Sequence, residues 1–137
     1  FMASITADGT YGLLKKALDA SHLRQQAISN NVANINTPNY KAERVVFEEK
    51  LKKSMSVFNV SLKATQDSHI GLRDAEREVT PHLVKDQSPS MRNDGNNVDI
   101  DMEMSNLAAN QLLYNTLVQQ TNQKISTLRH VITEGRG

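Results

Sequence analysis

Cysteine and tryptophan are absent from the 137 residues. Without cysteine there can be no disulfide and no thiolate chemistry, and the redox compartment stays open. Aromatic residues make up only 4% and hydrophobic residues 38% of the chain, thin material for one dense core. An elongated molecule whose apolar stripes finish packing against neighbours is the expectation. An excess of either charge is also missing. Lys and Arg total 16 against 15 for Asp and Glu, a net charge of +1 with no basic block. That balance gives no electrostatic case for nucleic acid or a membrane surface. No apolar run approaches the roughly 20 residues of a membrane-spanning helix. Phe1–Gly9 has neither a charged n-region nor an apolar h-region, so no secretory signal peptide is expected there. His22, His69, His82 and His130 are scattered, and none stands in an HExxH or His-x-x-x-His arrangement. Nucleophile-elbow, P-loop and dinucleotide fingerprints are missing too. The sequence therefore predicts no enzyme, no cofactor and no metal.

What is present is helical periodicity at both ends. Leu14, Leu18, Ser21, Gln25, Ile28, Val32 and Ile35 step by four and three, with Leu13, Ala17 and Ala27 beside them. This is a heptad seam on a helix over roughly Thr10–Asn36, about 40 Å long at 1.5 Å per residue. Ser21 and Gln25 put polar groups in its middle, where such residues weaken a coiled coil and help to fix register or partner. Tyr114, Val118, Thr121, Ile125, Leu128 and Ile132 repeat the pattern on a second helix, expected over about Met102–Thr133. Asn and Gln flank that second seam, and their amides can bond across helices without desolvating a charge. The plainer reading of either seam is one face of an ordinary bundle helix.

Ser29–Lys41, SNNVANINTPNYK, sits where the first pattern stops. Pro38 lacks an N–H and pushes Thr37 out of the α region, so the Thr37-Pro38 step should close the helix. Asn30, Asn31, Asn34, Asn36 and Asn39 crowd this end. Their amides can satisfy the last orphaned carbonyls, and Asn tolerates the left-handed conformation of a sharp exit. Tyr40 adds a large ring with a polar tip. The segment reads as a built corner between helix and arm, or as nothing more than a well-made helix stop.

The middle is mixed. Lys41–Val46 should be extended. Phe47–Ser56 should be helical, with Phe47, Leu51 and Met55 on one face. Lys50, Lys52 and Lys53 read as a solvated helix face beside Glu48 and Glu49 rather than a phosphate site. Val57–Ala64 alternates like a strand. Thr65–Arg92 is polar loop, with short strands expected near His69–Leu72 and Val79–Val84. Asp94-Gly95 signals a tight turn, and Asn97–Ile100 should run extended into the last helix. Asp99, Asp101 and Glu103 fall short of a calcium loop and are better read as acids complementing a helix N-terminus.

The fold class expected is mainly α with a small β-containing middle. Long N- and C-terminal helices would form a coiled-coil-like helical domain. Residues 1–40 are its first helix and exit corner, 41–98 an extended, loop-rich middle, and 99–137 its second helix.

Asn31, Val32, Ala33, Asn34, Thr37, Pro38, Tyr40 and Lys41, at these spacings, resemble the N-terminal signature of the bacterial flagellar axial family of rod, hook and hook-associated proteins. Asp94–Glu103, DGNNVDIDME, followed by an amide-rich helix, resembles the proximal-rod members of that family. The resemblance implies a structural subunit of the basal-body rod, outside the cytoplasmic membrane, exported through the flagellar type III apparatus without a cleaved signal. It implies self-association in an axial assembly, and other rod proteins and the membrane ring at the rod base as partners. The runner-up from another class is a free-standing helical adaptor that binds one partner helix.

Overall fold

The computed structural model describes residues 9–54 and 79–135. Helix α1 runs Gly9–Ala33 and strand β1 Glu43–Val46. A short helix, α2, covers residues 48–54. Strand β2 is His82–Lys85 and helix α3 is Ile100–Glu134. At 35 residues α3 is about 52 Å long, the longest described element.

The two long helices pair antiparallel. Asn31 of α1 bonds Glu103 near the start of α3, and Ser21 bonds Asn110 further along. The Ser21 hydroxyl donates to Asn110 Oδ1 at 3.0 Å, and the Asn110 amide donates to the Ser21 carbonyl at 2.9 Å. Both residues are buried. The polar gap in the first seam is thus where α1 and α3 are held in register, a reciprocal pair that leaves no polar atom unmatched. Counting back from that pair, α1 reaches Gly9 when α3 has reached about residue 122, and the rest of α3 runs on past the first described residue.

The arm packs beside α3, on an adjoining strip of α1. β1 and β2 pair antiparallel, Glu43 opposite Lys85 and Val46 opposite His82. Ala20, Phe47 and Val79 form a small buried cluster, with Ala17, Val45 and Leu51 packed around it. Alanines on α1 let the strand and α2 approach closely. Phe47 supplies most of the buried area, worth about 1.5–3 kcal/mol. Arg24 at the middle of α1 reaches Glu48, both carboxylate oxygens lying within 2.8 Å of one guanidinium nitrogen. Both α3 and the arm pack on α1, and Arg44 of β1 bonds Glu103 of α3 where they meet, so α1 is the central element.

Several bounds differ from those expected. α1 stops at Ala33 rather than Asn36. From there the chain tightens through i to i+3 bonds, Ile35 N to Val32 O and Thr37 N to Asn34 O. Ile35 therefore lies beyond the helix and does not continue its seam. Pro38 marks the outer limit of the turn, not the end of the helix. The Asp94-Gly95 turn folds back onto the α1 exit, where Asn39 N donates to the Asp94 carbonyl. The strands expected at Val57–Ala64 and His69–Leu72 lie outside the described residues.

Candidate functional site

The corner after α1 is built from asparagines contributed by both ends of the chain. Asn31, on the last turn of α1, is fully buried. Its Nδ2 donates to the Glu43 carbonyl at 3.0 Å and to Glu103 Oε2 at 3.2 Å. Its Oδ1 accepts from the Glu43 N–H at 2.7 Å and from the Tyr40 hydroxyl at 3.3 Å. Two donors and two acceptor sites are all an amide has, so Asn31 is saturated. It bonds the first residue of β1 as a neighbouring strand would, and so sets where the arm leaves the helix.

Asn34 folds back on its own helix, donating to the Asn30 carbonyl at 2.8 Å and accepting from the Thr37 hydroxyl at 3.1 Å. Asn39 has φ 60°, the left-handed conformation that Asn accepts at low cost. Pro38 is exposed at the tip of the turn. The Lys41 ammonium donates to the Gly95 carbonyl at 2.8 Å. Of the remaining signature residues, Val32 is half-buried and Ala33 exposed.

The other half of the corner comes from the segment before α3. Asn96, also fully buried, points Nδ2 into the exit turn, within 2.9 to 3.0 Å of the carbonyls of Asn34, Ile35 and Thr37. Its Oδ1 accepts from the Val98 N–H at 2.8 Å, and its own carbonyl accepts from the Ser90 hydroxyl. Asn97 accepts from the Ala42 N–H at 2.7 Å and donates to the carbonyls of Asp86 and Ser88. The Arg92 guanidinium adds a 2.6 Å bond to the Ile35 carbonyl. Gly95, at φ 78°, brings the backbone so close to Asn39 that a Cβ there would lie 2.5 Å from Asn39 Oδ1. The exit turn that follows the helix is thus held chiefly by side chains from some 60 residues downstream.

Charge enters through Glu103, whose side chain is wholly buried. Arg44 Nη1 donates to Glu103 Oε1 at 2.5 Å, and Asn31 takes the other oxygen. A buried carboxylate is tolerable only with such partners. Arg44 also faces Asp86 at 3.9 Å. The Ser88 hydroxyl and N–H hold the Asp86 carboxyl below its ordinary range, and the Arg44 and Lys41 charges pull the same way. Burial, then the Glu43 carboxylate, raise the Tyr40 phenol above its ordinary range; a hydrogen bond with Asn34 opposes this, and Glu103 adds to it. Tyr40 therefore keeps its proton and stays a donor to Asn31. Asp99 is the N-cap of α3, accepting from the N–H groups of Asp101 and Met102. Of the three acids read as a helix cap, Asp99 caps in this way and Glu103 turns inward as a clamp.

Sequence reasoning missed the roles of Arg44, Asn96, Asn97 and Glu103. Glu103 carried a usable signal, since it precedes the buried Asn110 and Leu117 at successive seven-residue steps. The seam positions stand as follows. Ile28 is buried; Leu14, Leu18, Val32, Ile35, Val118, Leu128 and Ile132 are half-buried; Tyr114 and Ile125 are exposed. The corner holds no group poised as nucleophile or general base, and its polar atoms are spent on one another.

A sequence profile described as "Flagella basal body rod protein" matches residues 15–41, ending with the corner's aromatic-Lys step. The flagellar basal body rod protein FlgB of Bacillus subtilis is 38% identical over 128 residues, covering 93% of this chain and 96% of the relative. This chain belongs to the FlgB family of flagellar basal body rod proteins. The FlgB protein of Borreliella burgdorferi is 40% identical over 105 residues, 73% of this chain and 78% of that one. That of Aeromonas hydrophila is 31% identical over 127 residues, 91% and 93% of the two chains. Family membership sets aside the free-standing adaptor.

Proposed function

We propose that the chain is a structural subunit of the proximal rod of the flagellar basal body, part of the drive shaft between the membrane ring and the distal rod and hook. The observation that carries this reading is an imbalance within a member of the FlgB family. Polar side chains lock α1, α3 and the arm together, while most of the heptad seam positions keep surface open to solvent. Each large aliphatic side chain of a seam that becomes fully covered in an assembly contributes about 1.5–3 kcal/mol, repeated over many subunits.

On this reading residues 1–40 and 99–137 make the assembling helical unit and residues 41–98 the arm. Asn31–Lys41 sets the angle between them. The seam positions Leu14, Leu18 and Val32 and Tyr114, Val118, Ile125, Leu128 and Ile132 pack into neighbouring subunits, whereas Ile28, buried within the chain, and Ile35, beyond the helix, add nothing to that surface. Partners are other rod proteins, further copies of this chain and the membrane-ring complex at the rod base. The subunit reaches its place by flagellar type III export, without a cleaved signal peptide, and acts as no enzyme.

The test is incorporation. Leu128→Asp, at a half-buried seam position, should abolish entry into purified basal bodies and motility while the isolated chain still folds by circular dichroism. Ile28→Asp should do the same with a larger loss of fold. Motile cells with normal basal bodies carrying Leu128→Asp would overturn the reading.

A further inference from the structure

The arm is pinned to α1 at its root and again further along. At the root, Asn31 bonds both the N–H and the carbonyl of Glu43. At the far end of β1, Phe47 is buried against Ala20. Both pins lie on α1. By themselves they leave a roll of the arm about the line joining them, toward α3 or away from it. Packing does not block that roll on the α3 side. A cleft of about 250 Å³ opens there, bounded by Ala27 and Ile28 of α1, Arg44 and Val45 of β1, and Ala109 and Leu113 of α3. The bond that crosses from the arm to α3 is Arg44 Nη1 on Glu103 Oε1. Neither end of it is loose. The Glu103 side chain is wholly buried, with its other oxygen held by Asn31. The guanidinium is braced by Asp86, which the N–H and hydroxyl of Ser88 hold in turn.

From this we infer that Arg44 is a positioning residue: acting through Glu103, it sets the roll of the arm against the α1–α3 pair, and so how the arm is presented to neighbouring subunits. An arm rolled away leaves the Glu103 carboxylate buried with Asn31 alone, and a buried charge stripped of its cation is strongly disfavoured. Apolar side chains in the same place would fill space without preferring one angle, whereas a guanidinium on a carboxylate is directional. The pair therefore contributes direction more than stability. Replacing both partners of a buried ion pair by neutral groups of similar volume is often harmless to the fold. The purpose in assembly rests on the rod-subunit reading, whereas the roll itself belongs to the isolated chain.

The chain has no cysteine, so pairs of introduced thiols can carry spin labels at chosen sites. Lys85→Cys on β2 with Ala108→Cys on α3 reads the arm against the helix pair. Lys15→Cys with Asn115→Cys reads α1 against α3, and all of these positions are exposed. Distances measured by double electron–electron resonance on the full chain should be narrowly distributed for both pairs. The deciding background is Arg44→Met with Glu103→Gln, in which Asn31 keeps an acceptor and no charge is buried unpaired. There the arm distribution should widen by about twofold or gain a second distance. The helix-pair distribution and the urea midpoint should stay where they are. Entry into basal bodies should fall by about tenfold, because only chains at the right roll are competent. An arm distribution as narrow and as centred as the native one overturns the inference. Widening of both pairs does so too, since the pair would then be a plain structural tie. If the double variant loses its helix content, Arg44→Met with Glu103→Leu decides in its place, and loss of fold in both also overturns the inference. Equal entry of native chain and folded double variant into basal bodies overturns the role of the roll in assembly. Absence of the native chain from basal bodies would sink the rod reading, and the distances would still decide what sets the roll.

Discussion

Asn31 and Glu103 lie 72 residues apart in sequence and share a 3.2 Å hydrogen bond that solvent does not reach from either side. Replacing Asn31 with Asp puts a second carboxylate against the first. It also removes the donor to the Glu43 carbonyl. Asn31→Asp should cost about 3–5 kcal/mol at neutral pH, and Asn31→Ala about 1–3 kcal/mol for the groups left unpaired. Urea unfolding separates the two. If Asp proves no worse than Ala, the buried carboxylate is not the constraint it is taken to be.

Asn96 donates to three carbonyls of a turn that belongs to another part of the chain. Asn96→Asp replaces those donors with oxygens facing oxygens, and should be more damaging than Asn96→Ala, which costs about 1–3 kcal/mol. Amide hydrogen exchange should rise first at residues 34–42, where the corner loses its cap. Uniform exchange across α3 and the corner would instead point to global loosening.

Gly95 has two reasons to be glycine, a φ of 78° and the 2.5 Å approach of Asn39 Oδ1 to a would-be Cβ. Gly95→Ala should destabilise by more than the roughly 1 kcal/mol typical of a left-handed position alone. In a Gly95→Ala, Asn39→Gly double variant the steric part disappears and the backbone part stays. The double variant should therefore lose less than the sum of the two single changes. Strict additivity in thermal unfolding would refute the contact.

Acid should weaken the arm through Asp86. Its folded pKa lies below the ordinary value, so the stabilisation is fully present above the unfolded pKa of about 3.9 and is lost as pH falls through the folded value. Asp86→Asn should flatten stability against pH at and below about pH 4 while changing little in its slope near neutrality. An unchanged acid limb in that variant would assign the loss to other carboxylates.

Much of the helical frame could be read from residue order. The heptad steps marked both long helices, and Ser21 stood out as a polar residue inside a seam. What it touches could not be read, because Asn110 is one of many amides on α3 and only the three-dimensional register picks it. Residue order alone puts the end of α1 three residues late, for a related reason. Pro38 is a visible stop, whereas the true stop is made by Asn34 acting locally and Asn96 acting from a distant segment. Glu103 was hidden by its neighbours: Asp99, Asp101 and Glu103 look like one acidic cap in the chain, but successive helical residues diverge by about 100°, and only Glu103 faces inward. Local chemistry is legible from neighbours in sequence, and the closing bonds of this corner are not local.

That non-locality sets an order of events. A polypeptide leaving a ribosome from its first residue, or any narrow passage end-first, presents α1 long before Asn96 and Glu103 arrive. Until then the Ile35 carbonyl has only water, the Asn34 and Thr37 carbonyls have only the N–H groups of Thr37 and Tyr40, and Asn31 lacks the Glu103 carboxylate. The corner is therefore completed late, when the last third of the chain is released, and a nascent fragment ending before residue 96 would hold its exit through Asn31, Glu43 and Tyr40 but without the distant half of the cap.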